Sequence, residues 1–322
     1  MSLARYAALR VAQIVPLLLA VAVLSFSLIH LAPGDPLTML AGDFPLPPAT
    51  QAQLRAEFGL DRPLHVQLGL YLWDVIRGDL GYSYFNRLPV ALLVFERLAS
   101  TVLLMAFSVS LASLLGVGLG LLAARRRGSW WDSLAMGIGV TGYAVPEFWL
   151  GQILVLVFSV RLGWLPAQGM RSLRVEYSGL QAAVDVLLHL VLPAVALSFR
   201  YVSLIARITR SATIEALEME FVLAARARGV SERRALVRHA FRNAIIPVTT
   251  VIGYNFGFIV AGSALVETVF GWPGIGRLLY DSILTRDYPV LTGVLIFVSF
   301  TVAIVNLLTD LAYAFLDPRI RY

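Results

Sequence analysis

Residues 215–247 read EALEMEFVLAARARGVSERRALVRHAFRNAIIP, a charged stretch set between two long apolar ones. From Glu215 to Arg228 there is neither Gly nor Pro, and strong helix formers dominate, so the pattern predicts a helix that Gly229 ends. Ser231 stands where it can cap a second helix running through SERRALVRHAFRNA, and Pro247 marks the return to apolar sequence. A helix–Gly–helix elbow standing off a membrane has the form of a lever that fits a cleft in another protein. The plainer account is a loop held on one side of the membrane by its positive charge. Charge alone does not require Ala224-Ala225 ahead of a Gly, nor Asn243 and Pro247 at the point of re-entry.

The surroundings of this stretch are membrane-like. Apolar residues make up 58% of the 322-residue chain and charged residues only 14%, with a mean hydropathy of +0.77. Soluble domains carry about a quarter charged residues. A bilayer core needs about 20 apolar residues per helix, and six stretches qualify: 11–31, 99–123, 133–160, 186–206, 248–270 and 290–315. The expected fold is all-α, a single polytopic membrane domain over residues 1–322, with a charged connection over 207–247. The first stretch follows Arg5 and Arg10 as a signal peptide would. Its apolar run exceeds the usual core of about 7–15 residues and no small-residue cleavage site precedes Leu31, so a retained anchor helix is expected.

Orientation follows from arginine. With the N-terminus inside, 15 Arg fall on the cytoplasmic side and 10 on the other, leaving Arg200 within the fourth stretch. The short connection ARRRGSWWD at 124–132 decides the matter, because positive charge counts most in short loops. Both termini and the 207–247 connection are then cytoplasmic, and 33–98 is an extended outer segment. Within it, Thr50 and Gln53 have capping-box spacing, with Gly59 as a stop. Over 64–77, Leu64, Leu68, Tyr71, Leu72 and Val75 recur at helical spacing, which predicts an amphipathic helix; Pro89 to Arg97 reads similarly.

Several chemistries are excluded outright. All 26 basic residues are Arg, and a nucleotide-binding P-loop needs a Lys, so the chain carries no ordinary ATP site; Schiff-base catalysis falls with it. There is no Cys. His30, His65, His189 and His239 lie on different elements and form no ligand set, and no acid–base pair or catalytic triad emerges. The net charge of +6 follows the membrane flanks, so topology rather than nucleic-acid binding accounts for it. The residues therefore do not read as those of an enzyme or of a metal site.

The candidates for a translocation path or gate lie in the last third. In FGWPGIGRLL, Gly271, Pro273, Gly274 and Gly276 force an irregular turn, and Trp272 suits a membrane interface. Irregular backbone at membrane depth requires protein or water around it, so this segment reads as a re-entrant outer gate or, more plainly, an outer loop. Glu267 precedes the turn, while Asp310 and Arg200 lie within spans; a charge there is expensive enough to merit a role in transport or in helix-end pairing. Tyr254, Asn255 and Ser263 line a polar path or hold helices together, and Tyr143, Glu147 and Trp149 beside Pro146 carry the same two readings.

The 215–247 stretch resembles the cytoplasmic EAA loop of ABC-importer permeases. That pattern has Glu-Ala-Ala, three residues, Gly, nine residues, then Ile-x-Leu-Pro. Here Leu223 stands for the Glu, and Pro247 falls five residues late. The longer spacing is similar to the dipeptide, oligopeptide and nickel branch of these permeases. The likeness continues through LIHLAPGDP (28–36), EFGLDRPLHVQ (57–67), RGDLGYS (77–83), ERLAST (96–101), GYAVPEFWLG (142–151), LVETVFGWPGIGRLLYDSILTRDYPV (265–290) and LDPRIR (316–321).

Such a resemblance implies a heterodimer with a second, related permease in the cytoplasmic membrane of a prokaryote. It further implies two cytoplasmic ATPase subunits that hold the ATP and Mg2+, with no cofactor on this chain, and an extracytoplasmic solute-binding protein. Glu220, Ala224, Ala225, Arg226, Arg228 and Gly229 would couple to the ATPases. Peptides are the commonest solutes of the branch, with nickel, opines and small glycosides left open. An ATP-independent secondary transporter would instead call for inverted repeats and broken helices, which the sequence does not display, and would leave 215–247 without a task.

Overall fold

The computed structural model describes residues 3–31, 47–57, 59–173, 175–262 and 264–316. Among these the regular secondary structure is helical, with an isolated bridge between Tyr82 and Pro89, and turns and loops join the helices. The elements are α1 (Leu3–Leu31), α2 (Pro48–Glu57), α3 (Leu64–Ile76), α4 (Val90–Arg125), α5 (Trp130–Ala144), α6 (Glu147–Leu154, continued by a π-helical stretch Val155–Arg161), α7 (Leu180–Leu217) and α8 (Glu220–Ala227). They continue with α9 (Phe241–Gly262), α10 (Ala264–Val269), α11 (Ile275–Leu284) and α12 (Tyr288–Leu316). A short helix Glu232–Arg234 and a π-helical stretch Ala235–Ala240 lead into α9 without a break.

Among the described residues four helical segments are long and apolar enough to cross a membrane: Ala8–Leu31, Val90–Arg125, Leu180–Leu217 and Tyr288–Leu308. The pair Trp130–Ala144 and Glu147–Arg161, taken together, is apolar enough to be a fifth, bent by 104° at its break as a broken span or a re-entrant loop is. The sequence implied a continuous third span over 133–160. Pro146 interrupts it, since it lacks an N–H and steers Val145 into extended backbone (φ −89°, ψ 123°). The expected span 248–270 is divided between α9 and α10, and Ser263 lies outside the described residues, as do 32–46 and 317–322. The second span is longer than expected. Pro89 occupies the N-cap of a single 36-residue helix that takes in the stretch read as a separate amphipathic piece.

Two further expectations shift in the outer segment. Thr50 lies inside α2 rather than at its cap, because Pro48 already starts the helix. Gly59 does terminate it, at φ +64°, with Leu60 N–H donating to Arg55 O (2.8 Å) and Gly59 N–H to Ala56 O (3.2 Å). The predicted stripe on α3 holds for Leu68, Tyr71, Leu72 and Val75, which are half-buried, while Leu64 is exposed along with Leu70, Trp73 and Ile76.

The packed centre is α4 against α7. Gly116 and Gly120, spaced one helical turn apart, make the approach possible: a Cβ on Gly116 would stand 2.8 Å from Ile205 Cβ, and one on Gly120 2.6 Å from Ala206 O. Small residues at this spacing are how membrane helices gain van der Waals contact where no hydrophobic force separates protein from lipid. Around this crossing Leu104, Leu190, Leu197, Val266, Phe270 and Trp272 form one core, and Val90, Val94, Ile275, Leu278, Val290 and Val294 a second, nearer the start of α4.

Candidate functional site

The elbow between α7 and α9 is sharper than its sequence implies. The helix expected from Glu215 to Arg228 breaks at Glu218-Met219, where Met219 turns to extended backbone (φ −72°, ψ 146°) and α8 starts afresh at Glu220. The 207–247 connection is accordingly little more than α8 and two short joints: residues 207–217 complete α7, and 232–247 already belong to the helical run into α9. Gly229 does end α8, at φ +84°. Its N–H donates to Arg226 O (2.9 Å) and Val230 N–H donates to Ala225 O (3.2 Å), a paired closure that a residue with a Cβ would strain. Ser231 occupies the next N-cap with extended backbone, although its hydroxyl makes no capping bond.

The two faces of α8 differ. Val222 is buried against Ala216, Ala235 and Ala240, with Leu217 and Val230 at the edge, and Ala225 is buried too. On the other face Glu220, Phe221, Leu223, Ala224, Ala227 and Arg228 are exposed. Arg226 does not share that face. Its guanidinium donates to Glu232 (2.8 Å), tying α8 to the helix that follows, whereas Arg228 donates only to its own helix, at Ala224 O (3.2 Å). Of the residues expected to contact ATPases, then, Glu220, Ala224 and Arg228 face outward, Ala225 and Arg226 build the base, and Gly229 sets the angle.

Sequence reading missed what holds this elbow. Arg127, from the short 124–132 connection, donates to Glu218 (2.6 Å) at the break itself. Asp132, buried at the start of α5, takes Arg210 of α7 in a two-pronged pair and also accepts Gly128 N–H (3.0 Å). The signal available was an acid closing an arginine run, ARRRGSWWD. The two Arg-rich connections therefore lie on one side of the bundle, as the orientation argument requires.

At the other end, the FGWPGIGRLL turn is interior. Trp272, expected at an interface, is fully buried: its ring packs among Leu104, Leu190 and Phe270, and its indole N–H donates to Ser100 O (2.9 Å), so burial leaves no orphaned donor. Glu267 is likewise fully buried. Thr101 Oγ1 donates to its Oε1 (3.1 Å) while accepting Ile275 N–H (2.8 Å), and Arg277 N–H donates to Oε2 (2.9 Å). The carboxylate thus sits on the N-terminus of α11, where backbone N–H groups and the helix dipole favour an anion. A Cβ at Gly274 would overlap that carboxylate, which explains the glycine. Pro273 follows Trp272 in the turn. Tyr254 and Asn255 lie within α9, with their side chains outside the described set.

A third polar cluster lies at the bend of the third span, where Tyr143, Glu147 and Arg200 come together. Outside the membrane-spanning helices, RGDLGYS meets TRDYPV. Buried Asp287 accepts Ser83 Oγ (2.5 Å) and the N–H groups of Tyr84 and Phe85 (both 3.2 Å). Burial, and then the Asp287 charge, push the Tyr84 phenol up to about 12. Among the described residues no group of His, Asp or Glu has the arrangement of a metal site.

Two solved structures share the architecture. The inward-facing MetNI methionine ABC transporter superposes with a TM-score of 0.57 over 70% of this chain and 97% of that one, at 17% identity. An amino acid ABC transporter does so with a TM-score of 0.51. The chain is 38% identical to the dipeptide transport system permease protein DppB of Escherichia coli (strain K12) over 330 aligned positions, covering 97% of each. It is 41% identical to the glutathione transport system permease protein GsiC of Salmonella paratyphi A over 321, covering 98% of this chain and 99% of the relative. Residues 116–322 match the family described as binding-protein-dependent transport system inner membrane component, and residues 3–105 match the N-terminal region of the same family. With both parts of the chain matched and relatives alike from end to end, this protein belongs to the binding-protein-dependent transport system inner membrane components.

Proposed function

We propose that this chain is one of two related permease subunits of an ABC importer for di- or oligopeptides, placed in the cytoplasmic membrane with six spans and both termini inside. The observation that carries the reading is α8: eight residues with one face anchored on the bundle and the other bare, at the end of the longest helix. Two cytoplasmic ATPase subunits hold the ATP and Mg2+ and grip the bare face. A solute-binding protein delivers the peptide to the outer segment, and lipid covers the rest. ATP binding closes the ATPase pair, α8 moves with it, and α7 and α9, to which α8 is joined at either end, carry the motion to the outer gate. Such a shift requires that α8 contact the ATPases differently in the two states.

Peptide is favoured as solute because the relatives named for a solute transport a dipeptide and glutathione, itself a tripeptide. The test is assembly. The chain purified alone should neither bind nor hydrolyse ATP, whereas the ATPase subunits should copurify with it and the reconstituted complex should import a labelled dipeptide when binding protein is supplied. ATP hydrolysis by this chain alone would overturn the reading. Orientation is checked separately in the naturally Cys-free chain: Gln53→Cys should react with an impermeant thiol reagent in intact cells, and Glu232→Cys should not.

A further inference from the structure

The bend in the third span opens a cavity of about 290 Å3 lined by Tyr143, Val145, Pro146, Glu147, Arg200 and Leu265, among others. Arg200 lies within α7 and inside the apolar stretch 186–206, six residues, or roughly 9 Å at 1.5 Å per residue, from the end of that stretch. Its side chain is half exposed (51%) and its guanidinium lies 5.2 Å from the Tyr143 ring, which is itself half exposed. A charge at such a depth does not face hydrocarbon without great cost; it faces protein or a water-filled cavity. Glu147 lies 3.8 Å from Arg200, an ion pair too long for the 2.7–2.9 Å of a charge-assisted hydrogen bond. The pair is loose, and a second guanidinium, that of Arg207, lies 5.9 Å from the same Tyr143 ring. One wall of the cavity is Leu265 and Val266, the turn of α10 that immediately precedes buried Glu267.

We propose that Glu147 and Arg200 form a station on the translocation path that binds the charged ends of a zwitterionic peptide. This rests on the peptide reading above. The peptide carboxylate pairs with Arg200 and its ammonium with Glu147, so one loose ion pair is exchanged for two and net charge is unchanged at every step. Tyr143 holds the guanidinium in place by the attraction of its ring face. The volume, at the lower limit of about 300–1,000 Å3 for ligand pockets, suits a dipeptide or one end of a longer chain. Because α10 forms a wall, an occupied station bears directly on the element that carries the outer plug.

The experiment uses the complete reconstituted transporter and radiolabelled dialanine. Arg200→Gln should lower uptake at least tenfold with ATP hydrolysis still stimulated by loaded binding protein, and Arg200→Lys should restore part of it. In an otherwise Cys-free complex, Tyr143→Cys should react with a hydrophilic methanethiosulfonate, dialanine should slow that reaction several-fold, and Arg200→Gln should abolish the protection. Labelling that dialanine leaves untouched, or no labelling at all, overturns the station. Dialanine uptake by Arg200→Gln at the unmodified rate overturns it while leaving the peptide reading intact. A wild-type complex that imports no dialanine removes the peptide reading, and the station with it.

Discussion

Two irregular segments, the FGWPGIGRLL turn and the α8 elbow, each contain a glycine with positive φ, yet they are finished in opposite ways. In the turn Phe270, Trp272, Ile275 and Leu278 are buried. Trp272 and Glu267 are fully buried and hydrogen-bonded, and Arg277 reaches back to Gly271 O (2.8 Å). In the elbow one face of α8 is packed and the other presents Phe221, Leu223, Ala224 and Arg228 to nothing in the chain's described residues. The difference separates two tasks. An outer gate, as proposed for the turn, would need its polar groups satisfied internally, while a coupling helix, as proposed for α8, would leave a surface free for a partner.

If that contrast is right, changes in the turn should cost stability first and changes on the bare face of the elbow should cost coupling first. The largest effect is expected at Trp272→Ala, which empties the core between α4 and α7 and should destabilise the chain by about 3–5 kcal/mol. Thermal unfolding in detergent, followed by circular dichroism, reads this directly; an unchanged melt would mean the turn is not an integral part of the bundle. Glu267→Ala should come next, at about 3 kcal/mol. It strips the partner from Arg277 N–H and one partner from the Thr101 hydroxyl inside the protein, and buried donors left unmet carry the full desolvation cost.

Gly229→Asp sharpens the comparison from the other side. No described atom lies within 4 Å of where its Cβ would stand, so only the left-handed backbone is strained, by about 1 kcal/mol. The chain should remain in the membrane while uptake is lost, because the new charge enters the docking surface. Gly229→Ala, with the same strain and no charge, should retain more transport, and equal losses in the two would point to backbone geometry instead. The smallest change in stability is expected at Leu223→Ala, within about 0.5 kcal/mol for an exposed position. ATPase subunits should nevertheless copurify less well with it. Retained copurification would show that the partner grips some other surface.

Much of this was legible along the chain. The helical class, the apolar stretches, the α3 stripe and the glycine that ends α8 all follow from local rules of periodicity and backbone freedom. The break at Glu218-Met219 was not legible, because no Gly or Pro marks it and the tie to Arg127 comes from 91 residues away. Nor was the burial of Trp272: an aromatic residue in a Gly-Pro turn suits an interface equally well until α4 supplies the Ser100 carbonyl.

By itself the sequence determined the membrane class and the glycine that ends α8, since each depends on residue type and short-range spacing. Only the tertiary structure decided which charges are spent inside the protein. Asp132 and Arg210, Glu267 and Thr101, Ser83 and Asp287 are pairs separated by 78, 166 and 204 residues. Whether a polar group in a membrane protein is available to a solute or a partner depends on whether another helix has already satisfied it. That is settled where the helices meet, not where the residues stand in the chain.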